Sequence, residues 1–95
     1  MDKNILLKKM ENIFLELGFK KENVGEKQCQ YLVYNECYCK ITYLEKLEAF
    51  VIESAGNIED ASKEVLEDGD LYYVDVSEEN LLNQLKKDLV DYYMG

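Results

Sequence analysis

Between residues 28 and 55 the apolar side chains stop recurring at helical spacing and alternate with polar ones, in a stretch rich in β-branched and aromatic residues. A block of this kind at the centre of a short chain dictates a sheet, and the flanking segments must then be arranged around it. Three strands are expected, near 28–34, 37–44 and 48–54, with Asn35-Glu36 and Glu45-Lys46-Leu47 as connections. Both gaps are of hairpin length, so an antiparallel meander is the economical topology. In the second strand Cys37, Cys39, Ile41 and Tyr43 share one face, expected to be the core face, and Tyr38, Lys40, Thr42 and Leu44 share the other.

The flanks read as helices. Leu6, Met10, Ile13, Phe14 and Leu17 form one apolar stripe, Gly18 can take the left-handed backbone that ends a helix, and Phe19 supplies the apolar contact of that motif. Lys20 to Lys27 reads as a polar loop. Asn57 is placed to cap a helix near 58–67 with Ile58, Ala61, Val65 and Leu66 inward, and Gly69 to end it. Leu71 to Val76 alternates as a fourth strand. Ser77 then caps a last helix with Glu78 and Glu79 in its first turn and Leu81, Leu82, Leu85 and Leu89 buried, running on to Tyr92 and Tyr93. The expected fold is α+β in the order α-β-β-β-α-β-α: a mainly antiparallel four-stranded sheet with the helices on one face. At 95 residues, 1–95 is expected to form a single domain.

Composition narrows the chemistry. The chain has no His, Arg, Trp or Pro, which removes imidazole acid–base catalysis, His metal ligation and bidentate guanidinium clamps on phosphate. Eleven lysines against 20 acids give a net charge of −9, which repels nucleic acid and favours a basic protein partner. Three cysteines, an odd number, suit reduced thiols better than a disulfide scaffold. The apolar run at Ile5-Leu6-Leu7 is too short for a signal peptide or membrane span, so a cytoplasmic location without membrane association is expected.

The charge is uneven. Residues 1–27 hold six lysines and five acids, whereas Glu53 to Glu79 holds ten acids and only Lys63. On a helix through 58–67, Asp60, Glu64, Glu67 and Asp68 would form one acidic stripe opposite the apolar one, continued by Asp70. Such a stripe is either the solvated face of an amphipathic helix or a docking surface for a cationic partner. Asp68-Gly69-Asp70 echoes part of a calcium loop but lacks its ligand spacing and terminal Glu, so no metal or cofactor is expected. Eight tyrosines stand against three phenylalanines; Tyr38 and Tyr73 lie where alternation suggests an open sheet face, and with the acids they suggest a protein-binding surface. Cys37 and Cys39 read as packing groups, and no set of residues forms a catalytic constellation.

The element order, the acidic charge and the segments Phe50-Val51-Ile52-Glu53-Ser54-Ala55, Asp60-Ala61 and Glu67-Asp68-Gly69-Asp70-Leu71-Tyr72 resemble small immunity proteins of bacterial polymorphic toxin systems, over about residues 50–76. The resemblance implies a cytoplasmic α+β domain that binds and blocks a cognate toxin, with no catalytic residue of its own. On that reading Asp60, Glu64, Glu67, Asp68 and Asp70 would meet basic residues of the toxin, and Tyr38 and Tyr73 would add contact area. A regulatory or adaptor domain for an endogenous basic partner is the alternative.

Overall fold

The computed structural model describes residues 2–94. Helix α1, Lys3–Glu16, begins where the Asp2 carboxylate accepts the backbone N–H groups of Asn4 and Ile5, at 2.9 and 3.3 Å. It ends as its sequence predicts. Gly18 takes φ +105°, the Phe19 N–H reaches the Phe14 carbonyl at 3.0 Å, and the two rings meet edge to face with centroids 4.9 Å apart.

Five antiparallel strands follow in sheet order: β1 Lys20–Val24, β2 Cys29–Tyr34, β3 Cys37–Leu44, β4 Ala49–Ala55 and β5 Glu67–Tyr73. The fold is α+β. The β2–β3 hairpin turns through Asn35 and Glu36, both at positive φ, the backbone that two-residue hairpins require. Strand β1 replaces the expected loop and makes the sheet five-stranded rather than four-stranded. Its sequence, Lys-Lys-Glu-Asn-Val, buries only Val24, so an edge strand with two polar faces left no alternation to read.

Helix α2 is Ile58–Ser62, five residues in place of the ten expected. Asn57 caps it, accepting the Asp60 N–H at 2.8 Å. The stop comes from Glu64, which adopts φ +58°, so that the Val65 N–H meets the Asp60 carbonyl at 2.9 Å. A glutamate in a position that normally takes glycine hides this terminus from a sequence reading. Glu67, Asp68, Gly69 and Asp70 therefore belong to β5 and not to a helix or its end. The register moves from Val51 opposite Leu71 to Glu53 opposite Asp68, which leaves Ile52 facing the two residues Gly69 and Asp70. A Cβ on Gly69 would stand 2.8 Å from the Ile52 carbonyl oxygen, so the bulge needs glycine there. The last helix, α3 Glu78–Leu89, starts with the Ser77 hydroxyl accepting the Asn80 N–H and continues as a wider π-type turn, Val90–Met94.

Two cores lie on opposite sides of the sheet. Leu6, Met10 and Phe14 of α1 and Leu81, Leu85 and Leu89 of α3 cover Leu32, Cys39, Phe50, Ile52 and Tyr72. Cys37, Ile41 and Tyr43 pack against this core, the face alternation predicts. Helix α2 sits on the other side, over Val24, Tyr31, Tyr38 and Ala55, with Ala61 buried and its carbonyl accepting the Tyr31 hydroxyl at 2.8 Å. The helices are thus split between the two faces instead of sharing one. The reason lies in β2 and β3, where both residues of each alternating pair, Tyr31 with Leu32 and Tyr38 with Cys39, are apolar and demand cover on both sides. Beyond α2 the second face is open, with Leu71 and Tyr73 exposed. Among the described residues no helix is long and apolar enough to cross a membrane.

Candidate functional site

Strand β5 is an edge strand, and the start of α3's π-type extension lies beside its bulge. Between them is a cleft of about 390 Å³, floored by Ile52 and Gly69. Its walls carry three carboxylates, Asp68, Asp70 and Asp88, and three tyrosines, Tyr72, Tyr92 and Tyr93. The bulge puts Asp70 within reach of the last turn, where the Tyr92 hydroxyl donates to its carboxylate at 3.2 Å. Asp88 is held from two sides, by the Tyr72 hydroxyl at 2.7 Å and the Gln84 side-chain amide at 2.8 Å. These bonds orient the carboxylates without neutralising them. Five ion pairs within 4.0 Å occur among the described residues, and none involves Asp68, Asp70 or Asp88.

The cleft therefore concentrates negative charge beside π faces, a setting that attracts an ammonium or guanidinium group through charge and ring quadrupole together. Tyr92 is 69% exposed and presents its ring at the rim. Burial and neighbouring groups shift all three phenols upward. Burial, followed by the bond to Asp88, raises the Tyr72 hydroxyl well above its usual value. Burial and contact with Cys39 raise Tyr93, and the bond to Asp70 raises Tyr92. Among the described residues no three His, Cys, Asp or Glu side chains gather closely enough to hold a metal ion.

The structure divides the residues that sequence reading grouped together. Asp68 and Asp70 enter the cleft, and Glu67 is exposed next to them on β5. Asp60 lies in the first turn of α2, hydrogen-bonded to Asn57. Glu64 sits in the turn after α2, where it accepts the Cys29 thiol at 3.1 Å and lies 3.9 Å from Lys27 Nζ. The continuous helical stripe does not form, because α2 stops before its last three members. Tyr73 is exposed on the open face as expected, but Tyr38 is 9% exposed, covered by α2 and edge to face with Tyr31. The acids and tyrosines do meet, though through different residues. Asp88, Tyr72, Tyr92 and Tyr93 complete the site, and their signal is the spacing Gln84, Asp88, Tyr92, a polar row at i, i+4 and i+8 beside the leucines of α3.

The retained phenol protons set an alkaline limit on the fold. A hydroxyl with a raised value stays protonated in the folded chain while the unfolded chain ionises near pH 10, so its stabilisation is complete below pH 10 and is lost as pH rises from there. Each of Tyr72 and Tyr93 contributes a slope of at most about 1.4 kcal/mol per pH unit. Urea midpoints are expected to fall steeply between about pH 10 and pH 11, and less steeply for Tyr72→Phe. An unchanged slope in that variant would remove Tyr72 from the account.

The chain matches no protein-family model, no curated protein and no solved structure.

Proposed function

We propose that this chain is a non-catalytic, cytoplasmic binding protein that inhibits a basic partner by occluding it, in the manner of a bacterial immunity protein facing its toxin. The observation that carries this reading is the cleft, where Asp68, Asp70 and Asp88 stand beside three tyrosines without a lysine partner. Carboxylates left uncompensated on a surface repel one another, and a cationic protein relieves that repulsion as it docks. Exposed Glu67 widens the acidic edge, and Leu71 and Tyr73 on the adjoining open face offer apolar contact. Tyrosines supply such contact at low conformational-entropy cost. Asp60 and Glu64, already engaged locally, take a peripheral place in this scheme, and Tyr38 is internal. Nucleic acid and membrane partners are disfavoured by the same charge.

The test is capture of the tagged chain from its own host after nuclease treatment, at low and raised salt. A stoichiometric basic protein, retained at low salt and lost as salt rises, is the expected result. Growth with and without that protein then separates an inhibitor from an adaptor: loss of this chain should harm cells only when the captured protein is present. Recovery of the chain alone at both salts would overturn the proposal.

A further inference from the structure

The strand order leaves the sheet with two outer edges, at β1 and at β5. Each edge exposes backbone N–H and C=O groups with which another chain can pair, so a folded protein has to guard both. Strand β1 is guarded. It carries Lys20 and Lys21, with Lys21 Nζ 3.7 Å from the Glu11 carboxylate, and its end at Val24 packs with Ala61 of α2. Strand β5 carries no lysine, and none occurs between Lys63 and Lys86. Its first half holds Glu67, Asp68 and Asp70 instead, all exposed and absent from the five ion pairs of the described residues.

In its second half the edge of β5 is regular. Beyond the bulge at Gly69, Leu71, Tyr72 and Tyr73 pair in unbroken register with Val51, Phe50 and Ala49. The Val74 N–H then donates to the Glu48 carbonyl at 3.0 Å. Successive residues of an antiparallel strand turn their backbone groups to alternate sides, so Tyr72 and Val74 point theirs at β4 while Leu71 and Tyr73 point theirs outward. Among the described residues no turn or loop backbone group pairs with those of Leu71 or Tyr73. Their side chains lie on the open face, 37% and 45% exposed. Free backbone groups and apolar side chains therefore stand together at one place on the edge.

We propose that the outer edge of β5 at Leu71 to Tyr73 is a strand-addition site, which takes an extended, lysine- or arginine-flanked segment of a protein partner as a sixth strand. Backbone pairing supplies the docking, and alternate side chains of the added segment extend the open face beside Leu71 and Tyr73. Charge selects the occupant. Antiparallel pairing with a second copy about Tyr72 would set Asp68 and Asp70 of one chain against the stretch from Val74 to Glu78 of the other, whose only charged residues are Asp75 and Glu78. Like charges across such a pair repel, and each chain carries −9 overall, so self-pairing is opposed. A foreign segment with basic residues just beyond its paired stretch sets them beside Glu67, Asp68 and Asp70 instead. It also relieves the repulsion between Asp68 and Glu53, which face each other across β5 and β4. The basic character of the occupant rests on the basic-partner reading, whereas the position of the free edge does not.

The experiment titrates the isotope-labelled full chain at low salt with the peptide acetyl-Lys-Lys-Val-Thr-Val-Lys-Lys-amide, whose symmetry suits either strand direction, and follows the backbone amides by NMR. The Leu71 and Tyr73 amide signals are expected to shift, and their hydrogen exchange to slow by about tenfold or more. The same peptide N-methylated at both valines and the threonine keeps its charge but cannot donate from those positions. It is expected to bind at least about tenfold more weakly, as is acetyl-Glu-Glu-Val-Thr-Val-Glu-Glu-amide. In the chain, Tyr73→Pro removes the outward N–H and leaves the β4 ladder in place, so it is expected to weaken binding by about the same factor. Tyr73→Thr, which keeps that N–H, is expected to weaken it less. Circular dichroism verifies both folds, and the N-methylated peptide carries the test on the parent chain if the proline variant does not fold. Shifts confined to Asp88, Tyr92 and Tyr93 and unchanged by N-methylation would overturn the edge site and leave the basic-partner reading standing. Absence of binding by the lysine peptide up to about 1 mM would also overturn the site, while salt-dependent capture still decides the basic-partner reading. Equal binding of the lysine and glutamate peptides at the edge would overturn the basic occupant and count against that reading as well.

Discussion

Phe14→Ala is expected to lose about 3–5 kcal/mol of stability, against a total of about 5–14 kcal/mol for a chain of this length. Phe14 is fully buried, and its ring is the first in an aromatic series. It meets Phe19 at 4.9 Å, and Phe19 in turn meets Tyr34 at 5.2 Å and Tyr93 at 5.5 Å. One substitution therefore opens a void where α1, the entry to β1, β2 and the last turn converge, and it removes the apolar contact that closes the end of α1. Leu15→Ala, one residue along on the exposed side of α1, is expected to change stability by no more than about 0.5 kcal/mol. Urea denaturation of both variants measures the difference. Because Tyr93 also lines the cleft, a Phe14→Ala chain that remains folded is expected to show altered tyrosine signals from Tyr92 and Tyr93, linking the core of α1 to the site. A loss below about 1 kcal/mol would mean that the neighbouring rings collapse into the space.

The three central strands and the outer helices were legible because each rests on a local signal. The stripe from Leu6 to Leu17, the alternation from Cys37 to Tyr43, and the capping residues Asn57 and Ser77 all act within a few positions of themselves. What escaped was set elsewhere. Strand β1 exists because Lys20 through Val24 pair with β2, and no apolar period records that pairing. The end of α2 depends on Glu64 accepting a left-handed backbone, which costs of the order of 1 kcal/mol and coincides with its contacts to Cys29 and Lys27. Once α2 ends early, Glu67 and Asp68 pass from the expected helix and its end into the strand that also takes in Asp70, and the bulge at Gly69 brings Asp70 to Tyr92. The concentration of acid between Glu53 and Glu79 was visible in the sequence. Its true neighbours were not, since Asp88 and Tyr92 lie some twenty residues further on and join the site through the docking of α3.

Reversal of charge at the cleft, Asp68→Lys with Asp70→Lys, is expected to slow association with a captured basic partner by about 10- to 1,000-fold at low salt, the range that electrostatic steering spans. The same total change in charge placed at Glu22 and Glu26, exposed on β1 and the turn after it, is the necessary control. A uniform field effect would slow both double variants alike, whereas a local site slows only the first. Above about 0.5 M salt, where screening reaches only a few ångströms, the association rates are expected to converge, and the dissociation rates to retain whatever direct contact was lost. Asp70→Asn separates charge from geometry, because its amide oxygen can still accept the Tyr92 hydroxyl. Stability provides an independent check. Asp68 stands directly opposite Glu53, a like-charged cross-strand pair, so Asp68→Lys is expected to stabilise the free chain by about 0.2–1 kcal/mol while it weakens binding. Opposite movement of stability and affinity is the mark of a surface whose charge is costly to the fold and useful to the complex. If both fall together, the variant has damaged the edge strand and its binding loss says nothing of an interface; if the Glu22 and Glu26 pair slows association as much, the cleft is not where the partner docks.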